Sequence, residues 1–431
     1  MTDLRLDKQF RQVALGDIEA ALDELWREIT ENALASGRGA VSRNTVLTLV
    51  AYTTTIGQAH LSLRAAEELA VQHPARTAVL LTEPDQPDAA IDVQVAVRGE
   101  GMGLTAGYSE EIVIEARGDA AHQVSGVVLP LMASGVPAFL WWHGEPPWGG
   151  NLVETLVDGI DRLIVDSGDA GDADRFLSGV ADLVRRKHAH CALSDFNWAR
   201  QTPWREMTAQ FFDPVAVLPY LSGVDRVTVE YAAGDEDAPT NSAPAYLFVG
   251  WLAARLGWTV ATANRRSFGP SRQHTLHDSA HRPVLVEVNA RTGLPTGSWY
   301  AIHDRQRRAL NPSASGSWPG VVDGRSAASA PGASATPEIG DGALMSVRIH
   351  AVTAGRRGTF IIARDQDLEH ATTLCQVDGS APPSHTVHLG SLGETALLHS
   401  QLELVGHDAI YEEAVHKAAQ LAGYEPNRRA L

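Results

Sequence analysis

The first 170 residues alternate between two hydrophobic periods. Ile18, Leu22, Leu25, Trp26 and Ile29 recur at the spacing of one helix face. Elsewhere the apolar positions form short runs or alternate with polar ones, which indicates strands. Strands are predicted at residues 46–50, 77–81, 91–98, 112–114, 138–142 and 162–165, with helices near 18–29, 61–69, 119–131 and 151–157. Strands interleaved with helices predict a layered α/β domain over residues 1–170.

The second part of the chain contains a helix that has no polar face. Between Ser242 and Gly257 the apolar residues occupy every side, which predicts burial all round. Residues 311–342 turn to Ser, Ala, Gly and Pro, a composition typical of a flexible linker or loop. Other predicted elements are helices at 173–187, 392–405 and 408–421 and strands at 227–229, 284–288, 344–352 and 359–363. The predicted fold class is α/β, with layered mixed sheets flanked by helices in two domains, 1–170 and 171–310 with 343–431.

The charge of the chain narrows the classes of partner. Thirty-five basic residues against 52 acidic ones leave a formal net charge of −17. Such a field repels phosphate backbones and anionic headgroups, so neither nucleic acid nor a membrane surface is predicted as a partner. The first residues hold no apolar run typical of a secretory signal, and no stretch reaches the roughly 18 apolar residues of a membrane span. We therefore expect a cytoplasmic protein.

Two cysteines, Cys191 and Cys375, are too few and too far apart for a disulfide framework or an all-cysteine zinc site. Both are interpreted as structural thiols in a reducing compartment.

A glycine-rich segment, Gly101-x-Gly103-x-x-Ala106, follows a predicted strand as a dinucleotide fingerprint would. The next regular pattern is another strand rather than a helix, so no helix N-terminus is predicted to receive a pyrophosphate. The favoured interpretation is the loop of a β-hairpin.

Histidines at HxxHxxxH spacing, His274, His277 and His281, have the ligand type of a metal site. Residues 271–282 show no apolar period that would hold them rigid, so exposed loop histidines are predicted. His188 and His190 beside Cys191 are interpreted in the same way. With no Walker loop, GxSxG elbow or HExxH helix present, no catalytic residue, cofactor site or metal site is predicted.

Residues 194–206, the signature segment, carry an unusual density of Trp and Arg. Thr202 suits the N-cap and Pro203 the first position of a short helix, which Asp213-Pro214 would end. Trp204 shares one helix face with Met207, Thr208 and Phe211, which favours packing into the core. Trp198, Arg200 and Arg205 are of the residue types that concentrate in interface hot spots.

A second aromatic stretch, residues 137–150, leaves a predicted strand and enters a Pro- and Gly-rich loop. It contains Trp141, Trp142 and His143. In an open α/β sheet, ligands and partners dock where the strands end. This aromatic strand segment is therefore a second candidate for a binding region.

These stretches resemble the glucose-6-phosphate dehydrogenase assembly protein family, OpcA. Ser194-Asp-Phe-Asn-Trp-Ala-Arg-Gln-Thr-Pro-Trp-Arg-Glu206 is similar to the family's signature, with Phe196 where the family has leucine. Further similar segments, in the same order along the chain, are residues 73–76, 110–118, 139–147, 161–167 and 407–414.

The resemblance implies a non-enzymatic protein that binds glucose-6-phosphate dehydrogenase, the enzyme that opens the oxidative pentose phosphate pathway. Such proteins favour assembly or the active form of the enzyme oligomer. In some relatives activation is linked to thioredoxin through cysteines, whereas this chain lacks a closely spaced pair. The resemblance supplies no catalytic residue and no cofactor.

We therefore expect an allosteric activator whose two aromatic stretches build, or directly support, a face that docks on the dehydrogenase. The acidic surface would steer the chain toward a basic patch on that enzyme. The residues predicted for this face are Trp141, Trp142, His143, Trp198, Arg200, Trp204 and Arg205.

Two alternatives remain at the level of the sequence. A sugar-lactone hydrolase of the same pathway would need an acid/base pair, for which no motif is present. A sugar-phosphate sensor would use Arg-rich turns such as Arg305–Arg308 or Arg356-Arg357, although solvated surface charge is the favoured interpretation of both.

Overall fold

Two eight-stranded mixed sheets organise the chain. The structure is a computed structural model that describes residues 10–37, 41–100, 107–187, 191–234, 240–268, 271–299, 301–302, 305, 338–377, 384–390, 392–404 and 406–424. The predicted fold class, mixed sheets flanked by helices, is confirmed. Among the described residues, no helix has the length and apolarity to cross a membrane.

Strands and helices are numbered in chain order. The strands are β1 (Arg11–Val13), β2 (Leu47–Thr53), β3 (Ala75–Glu83), β4 (Ala90–Glu100), β5 (Gly107–Arg117), β6 (Ala138–Trp142), β7 (Arg162–Val165), β8 (Ala192–Asp195), β9 (Val224–Ala232), β10 (Thr259–Phe268), β11 (Ser271–His277), β12 (Pro283–Arg291), β13 (Thr296–Gly297), β14 (Ile339–Gly340), β15 (Leu344–Thr353), β16 (Arg356–Arg364), β17 (His370–Val377) and β18 (His385–His388). The helices are α1 (Ile18–Ala35), α2 (Ile56–Leu69), α3 (Val124–Val128), α4 (Asn151–Asp158), α5 (Ala173–Lys187), α6 (Phe196–Arg200), α7 (Thr202–Gln210), α8 (Leu218–Leu221), α9 (Ala243–Arg255), α10 (Glu394–Leu402) and α11 (Ala409–Ala422).

The chain divides into two compact units. Unit 1 comprises residues 1–166, 187–194 and 394–407, and unit 2 comprises 167–186, 195–393 and 408–431. Helix α10 was assigned to the second domain by its place in the sequence. It packs against α2 of unit 1 instead, because its buried Leu397 and Leu398 need an apolar surface to cover them.

Unit 1 is built on the sheet β1-β4-β5-β3-β2-β6-β7-β8. The strands β5, β3, β2, β6 and β7 pair in parallel, and β4 and β1 extend the sheet antiparallel. Every residue of β2, β6 and β7 is buried, as expected for parallel strands covered on both faces.

Unit 2 is built on the sheet β10-β11-β12-β9-β15-β16-β17-β18, in which β12 and β9 form a parallel pair. Burial alternates along β12 and β15, so one face of this sheet is covered and the other is more open. Helix α9 is buried on nearly every side and packs against α11. Gly250 permits this close approach, since an added Cβ would lie 2.3 Å from the Ala414 carbonyl oxygen.

Most predicted elements are confirmed, and β6, β7 and α5 have the predicted limits. The helix predicted across 119–131 is wrong in its continuity: 3-10 turns flank the short α3, and Pro130, in the second of them, has no backbone N–H to continue the helix. The glycine-rich segment 101–106 lies outside the described residues, but β4 and β5 on either side pair antiparallel, as a hairpin requires. The linker prediction for 311–342 concerns residues that are mostly outside the described part, with 338–342 alone inside it.

The prediction of exposed loop histidines at 271–282 is wrong for His274. Residues 271–277 form β11, between β10 and β12, and His274 is 5% exposed. Its Nε2 lies 3.3 Å from the Tyr246 hydroxyl. The polar composition of β11 lacks the hydrophobic pattern typical of a strand. Pairing with β12 stabilises the strand despite that composition. His188 and His190 lie outside the described residues.

Candidate functional site

The signature segment begins its first helix on a buried carboxylate. Asp195 is 2% exposed, and its Oδ1 accepts hydrogen bonds from the amides of Asn197 (2.8 Å) and Ser167 (3.0 Å). It is the N-cap of α6, a position where such an acceptor satisfies free amides of the first turn. The Tyr411 hydroxyl reaches its other oxygen at 3.3 Å, and burial together with this carboxylate raises the pKa of Tyr411 well above its ordinary value. The start of α6 is therefore held from two neighbouring segments of unit 2.

Trp198 packs against the start of α11. Its indole Nε1 donates to Asp408 Oδ2 at 2.9 Å, and its ring lies 5.6 Å from that of Tyr411. Asp408 is the N-cap of α11, and its Oδ1 accepts from the amides of Ile410 and Tyr411. One carboxylate therefore both caps a helix and anchors the tryptophan.

Arg205 stacks on the same tryptophan. The guanidinium carbon lies 3.5 Å from the centroid of the Trp198 ring, within the range of a cation–π contact. Nη1 donates to the Trp198 carbonyl at 2.7 Å and Nη2 to Thr202 Oγ1 at 2.9 Å. Burial lowers the pKa of Arg205 to about 10, with Asp408, Glu206 and Asp195 opposing the shift, so the side chain is charged at neutral pH.

The second helix of the segment starts one residue earlier than an N-cap at Thr202 would place it. Gln201 is the N-cap of α7 and makes no side-chain capping bond, while Thr202 is the first helical residue. Pro203 lies in the first turn as predicted, and Trp204, Met207 and Thr208 are buried as predicted.

A cavity of about 350 Å³ opens beside the signature segment, within unit 2. Arg200 and Arg364 each lie over an indole: Arg200 is 4.7 Å from the ring centroid of Trp299, and Arg364 is 5.7 Å from that of Trp204. Gln201, also in the wall, is 3% exposed. The lining comprises residues 197, 200, 201, 204, 299, 302, 338, 339, 343, 344, 364, 367–369, 388–390 and 392.

The sequence did not single out Arg364, Trp299 or Gln201 for this cavity. Arg364 ends a strand, and Trp299 precedes a segment outside the described residues. Of these three residues, only Gln201 could have been noted from the sequence, because it lies within the signature segment.

The aromatic strand segment belongs to unit 1, and its tryptophans are core residues of β6. Trp141 is 2% and Trp142 is 1% exposed, because β6 lies between β2 and β7 in the sheet. Trp142 stacks on Tyr52 of β2 with ring centroids 3.9 Å apart and an interplanar angle of 18°. These contacts consolidate the sheet.

His143 follows β6 and is partly buried, with its ring 4.1 Å from that of Trp141. Its Nε2 lies 2.9 Å from Ser62 Oγ, which itself donates to the Gln58 carbonyl. Because the hydroxyl hydrogen of Ser62 is engaged there, His143 must donate from Nε2, which assigns the tautomer. Burial lowers the pKa of His143 to about 3, so the ring is neutral at pH 7.

The structure divides the seven predicted residues between the two units. Trp141, Trp142 and His143 lie in unit 1, and Trp198, Arg200, Trp204 and Arg205 lie in unit 2. All four tryptophans are at most 9% exposed. Their own chain covers them, whereas His143, Arg200 and Arg205 are partly exposed.

One group of described residues has the ligand types of a transition-metal site. His73 Nε2 and His399 Nδ1 lie 3.0 Å apart, and His399 Nε2 lies 3.6 Å from Glu403, all within unit 1. The two imidazoles hydrogen-bond to each other, so the pair is satisfied by neutral rings. Burial and the neighbouring His399 lower the pKa of His73, which favours that neutral pair.

Neither cysteine has the environment of a reactive thiol. Cys191 is 2% exposed, and burial raises its pKa to about 12, which keeps the thiol protonated. Cys375 is partly buried, and its pKa is also raised by burial.

Asp408→Ala should lower the free energy of unfolding by about 2 kcal/mol, because it removes the N-cap of α11 and the acceptor of the Trp198 indole together. Urea denaturation measures the change. Asp408→Asn keeps one oxygen for the cap but not a second one for the indole, so about half of the loss is expected. Equal stability of the alanine variant and the unaltered chain would contradict this role.

Two family models match the chain. The one described as the glucose-6-phosphate dehydrogenase subunit N-terminal domain matches residues 66–182. The one described as the C-terminal domain of that subunit matches residues 191–415, more than half of the chain by itself.

Curated relatives named OxPP cycle protein OpcA are also similar. The protein of a Synechocystis species is 33% identical over 188 residues, which cover 43% of this chain and 37% of the relative. That of Nostoc punctiforme is 30% identical over 209 residues, covering 48% and 43%. That of Synechococcus elongatus is 26% identical over 302 residues, covering 69% and 57%. The match therefore spans less than two thirds of each relative.

Solved structures of two oxidoreductases align only loosely. Levoglucosan dehydrogenase with NADH and L-sorbose has a TM-score of 0.43 at 11% identity, covering 88% of this chain and 97% of that one. A 3-ketoreductase from Actinomadura kijaniata has a TM-score of 0.43 at 9% identity, covering 88% and 96%. Similarity at this level carries no conclusion about activity. The two family models and the OpcA relatives agree with each other: this chain belongs to the glucose-6-phosphate dehydrogenase assembly protein family, OpcA.

Proposed function

We propose that this chain is a non-catalytic cytoplasmic partner that binds glucose-6-phosphate dehydrogenase and favours its active form. The observation that carries the proposal is the match of both family models, each described as a domain of a subunit of that enzyme, over residues 66–182 and 191–415.

The construction of the signature segment supports a binding role. Asp195, Trp198 and Arg205 direct their polar atoms to groups of their own chain. Such a network holds a surface in shape, whereas a nucleophile or general base needs a polar atom presented to a substrate. The exposed side of Arg205, above the buried Trp198, is the part of the segment that we assign to the docking face.

Arginine stacked on an aromatic ring suits an interface for a physical reason. The ring and two hydrogen bonds hold the guanidinium in one orientation, so little conformational entropy is lost when a partner carboxylate binds it. Trp141, Trp142, Trp198 and Trp204 contribute by packing beneath the surfaces of their own units, and His143 by fixing the end of β6 through Ser62. Arg200 is treated separately below because it lines the cavity.

Activation follows from linkage. If the chain binds the active conformer of the dehydrogenase more tightly than the inactive one, the population shifts by that difference in affinity. A tenfold preference corresponds to about 1.4 kcal/mol, which a few well-ordered contacts supply.

The decisive experiment is the initial rate of glucose 6-phosphate oxidation by the cognate dehydrogenase, titrated with the full chain. We expect the rate at sub-saturating substrate to rise and then saturate, while the chain alone oxidises nothing. A second measurement, light scattering after size-exclusion chromatography, should show a complex of the two proteins. An unchanged rate at saturating chain, together with no complex, would remove the proposal.

Arg205→Gln should raise the concentration of chain needed for half-maximal activation by about tenfold or more, because a charge-assisted contact is lost. The matched control is Arg357→Gln, which removes an exposed arginine at the start of β16. Circular dichroism verifies that both variants are folded. Equal titration curves for the two variants would place the docking face elsewhere.

A further inference from the structure

We propose that the cavity of unit 2 binds a small hydroxylated organic anion, such as a sugar phosphate or a sugar acid. The cavity, at about 350 Å³, lies at the lower end of the size range of small-molecule sites. This proposal concerns the chain by itself and is tested without the dehydrogenase.

Arg364 supplies the first requirement, a cation that lacks an anion. Its Nε donates to the Leu344 carbonyl at 3.0 Å and its Nη1 to the Leu368 carbonyl at 2.5 Å. Within the described residues no carboxylate forms an ion pair with Arg364. The charge of Asp367 raises the pKa of Arg364 only from a longer distance. Burial lowers its pKa to about 10, so the guanidinium is charged at neutral pH. A charge held away from water without a counter-ion is costly, and a ligand anion beside it would reduce that cost.

Gln201 supplies the second requirement, a buried acceptor without a donor. Its Nε2 donates to the Pro244 carbonyl at 2.9 Å and to Asn197 Oδ1 at 3.3 Å, which fixes the orientation of the amide. Its Oε1 is buried and has no hydrogen-bond partner among the described groups. Because Gln201 lines the cavity, a ligand hydroxyl is the donor that fits this oxygen.

Two indole rings supply flat apolar walls. Trp204 and Trp299 both line the cavity, and an arginine lies over each ring. Gly340 makes the position of Trp299 possible, since an added Cβ would lie only 2.1 Å from the indole carbon Cε2. An aromatic face covers the apolar C–H surface of a sugar ring while leaving the hydroxyls free for polar groups.

Carboxylates at the cavity limit how much negative charge a ligand carries. Glu338, Asp367 and Glu369 are exposed lining residues. Glu338 forms an ion pair with Arg305, and Asp367 accepts from His370 at 2.7 Å. They would accept hydrogen bonds from hydroxyls but repel a second anionic group, so the site suits a ligand with one anionic end and several hydroxyls rather than a polyphosphate.

The test is isothermal titration calorimetry of the full chain with four probes: glucose 6-phosphate, gluconate, glucose and inorganic phosphate. We expect glucose 6-phosphate or gluconate to bind at least about tenfold more tightly than glucose or phosphate, because only the first two combine an anion with hydroxyls. Comparing these two distinguishes a phosphate ester from a carboxylate. Tryptophan fluorescence should change on binding, since two indoles line the cavity.

Arg364→Gln and Arg200→Gln should each weaken binding by about tenfold or more, and the control Arg348→Gln, at an exposed position of β15 away from the cavity lining, should not. Arg364 also bonds to two backbone carbonyls, so the Arg200 variant and Gly340→Ala, which displaces Trp299, provide readouts if the Arg364 variant does not fold. No binding of any probe at 10 mM (about the weakest useful affinity) would overturn the proposal. So would equal affinity for all four probes, or binding that all folded cavity variants retain.

The outcome is separable from that of the proposed function. Binding of the probes without activation of the dehydrogenase would leave the cavity assignment intact and remove the activator proposal. Activation without any probe binding would do the reverse.

Discussion

Glu110→Ala is expected to lower the free energy of unfolding by about 3–5 kcal/mol, the range for breaking a buried ion pair by removing one partner. Glu110 is 1% exposed in unit 1. Its two oxygens accept from Arg76 Nε at 2.6 Å, Arg43 Nε at 2.6 Å and Trp26 Nε1 at 2.8 Å. Burial opposes the charge of Arg76, but the hydrogen bonds that Arg76 donates to Glu19 and Glu110, and the charges of those carboxylates, outweigh it, so the pKa of Arg76 is raised. Without Glu110, Arg76 keeps the Leu131 carbonyl and one carboxylate among the described residues, the exposed Glu19.

Urea denaturation followed by circular dichroism measures the loss. The matched control is Glu19→Ala, which removes the other carboxylate of the same arginine; Glu19 is 54% exposed, so less than about 1 kcal/mol is expected. The double variant Arg76→Met with Glu110→Leu should recover part of the stability, because it leaves no unpaired buried charge, although Trp26 Nε1 still loses its acceptor. A loss below about 1 kcal/mol for Glu110→Ala would show that Glu110 is not the anchor of this network.

Acidification should destabilise unit 1 through His143. In the folded chain, burial lowers the pKa of His143 to about 3, whereas in the unfolded chain its pKa is the ordinary histidine value of about 6.5. A lowered folded-state pKa means that the stabilisation is complete above about pH 6.5 and is lost as the pH falls toward 3. Each pH unit in that window removes about 1.4 kcal/mol, so about 3 kcal/mol is lost by pH 4.

The measurement is the difference in unfolding free energy between the unaltered chain and His143→Gln, at pH values from 7 to 4. Glutamine does not titrate and retains a donor for Ser62, so the difference isolates the imidazole. His385→Gln, at an exposed strand end, controls for loss of a histidine as such. Nitrogen NMR of the ring should show a neutral Nε2–H tautomer at pH 5. A titration midpoint near 6.5 in the folded chain would contradict the assignment.

Several features of the candidate site could be predicted from the signature segment itself. The Pro203 start of α7 and the buried face of Trp204 and Met207 follow from spacing within one helix. The burial of Trp198 did not follow, because its cover is Tyr411 and Asp408, more than 200 residues later in the sequence. The residue types typical of interface hot spots singled out this segment as a prediction, while the position of each ring depended on partners that no local pattern identifies.

The residues that line the cavity also divide into those that the sequence singled out and those that only the tertiary structure brings together. Arg200 and Gln201 stand in a segment that the sequence marked, but Arg364 and Trp299 stand in segments with no distinguishing pattern. They meet only because β16 ends beside α7 and because Gly340 has no side chain to exclude the Trp299 ring. The strand β11 was missed for a related reason: its composition is polar, and its pairing with β12 is what stabilises it.

By itself, the sequence determined the α/β class, the limits of strands such as β6 and β7, the all-round burial of α9 and membership of the OpcA family. All of these depend on hydrophobic period or on contiguous motifs, which are local properties of the chain. The tertiary structure alone decided that Glu110 is shared by Trp26, Arg43 and Arg76, that Asp408 both caps α11 and holds Trp198, and that Arg364 and Gln201 face one cavity. A buried polar group is satisfied by whichever group the packed fold brings within about 3 Å, and distance along the chain does not encode that proximity.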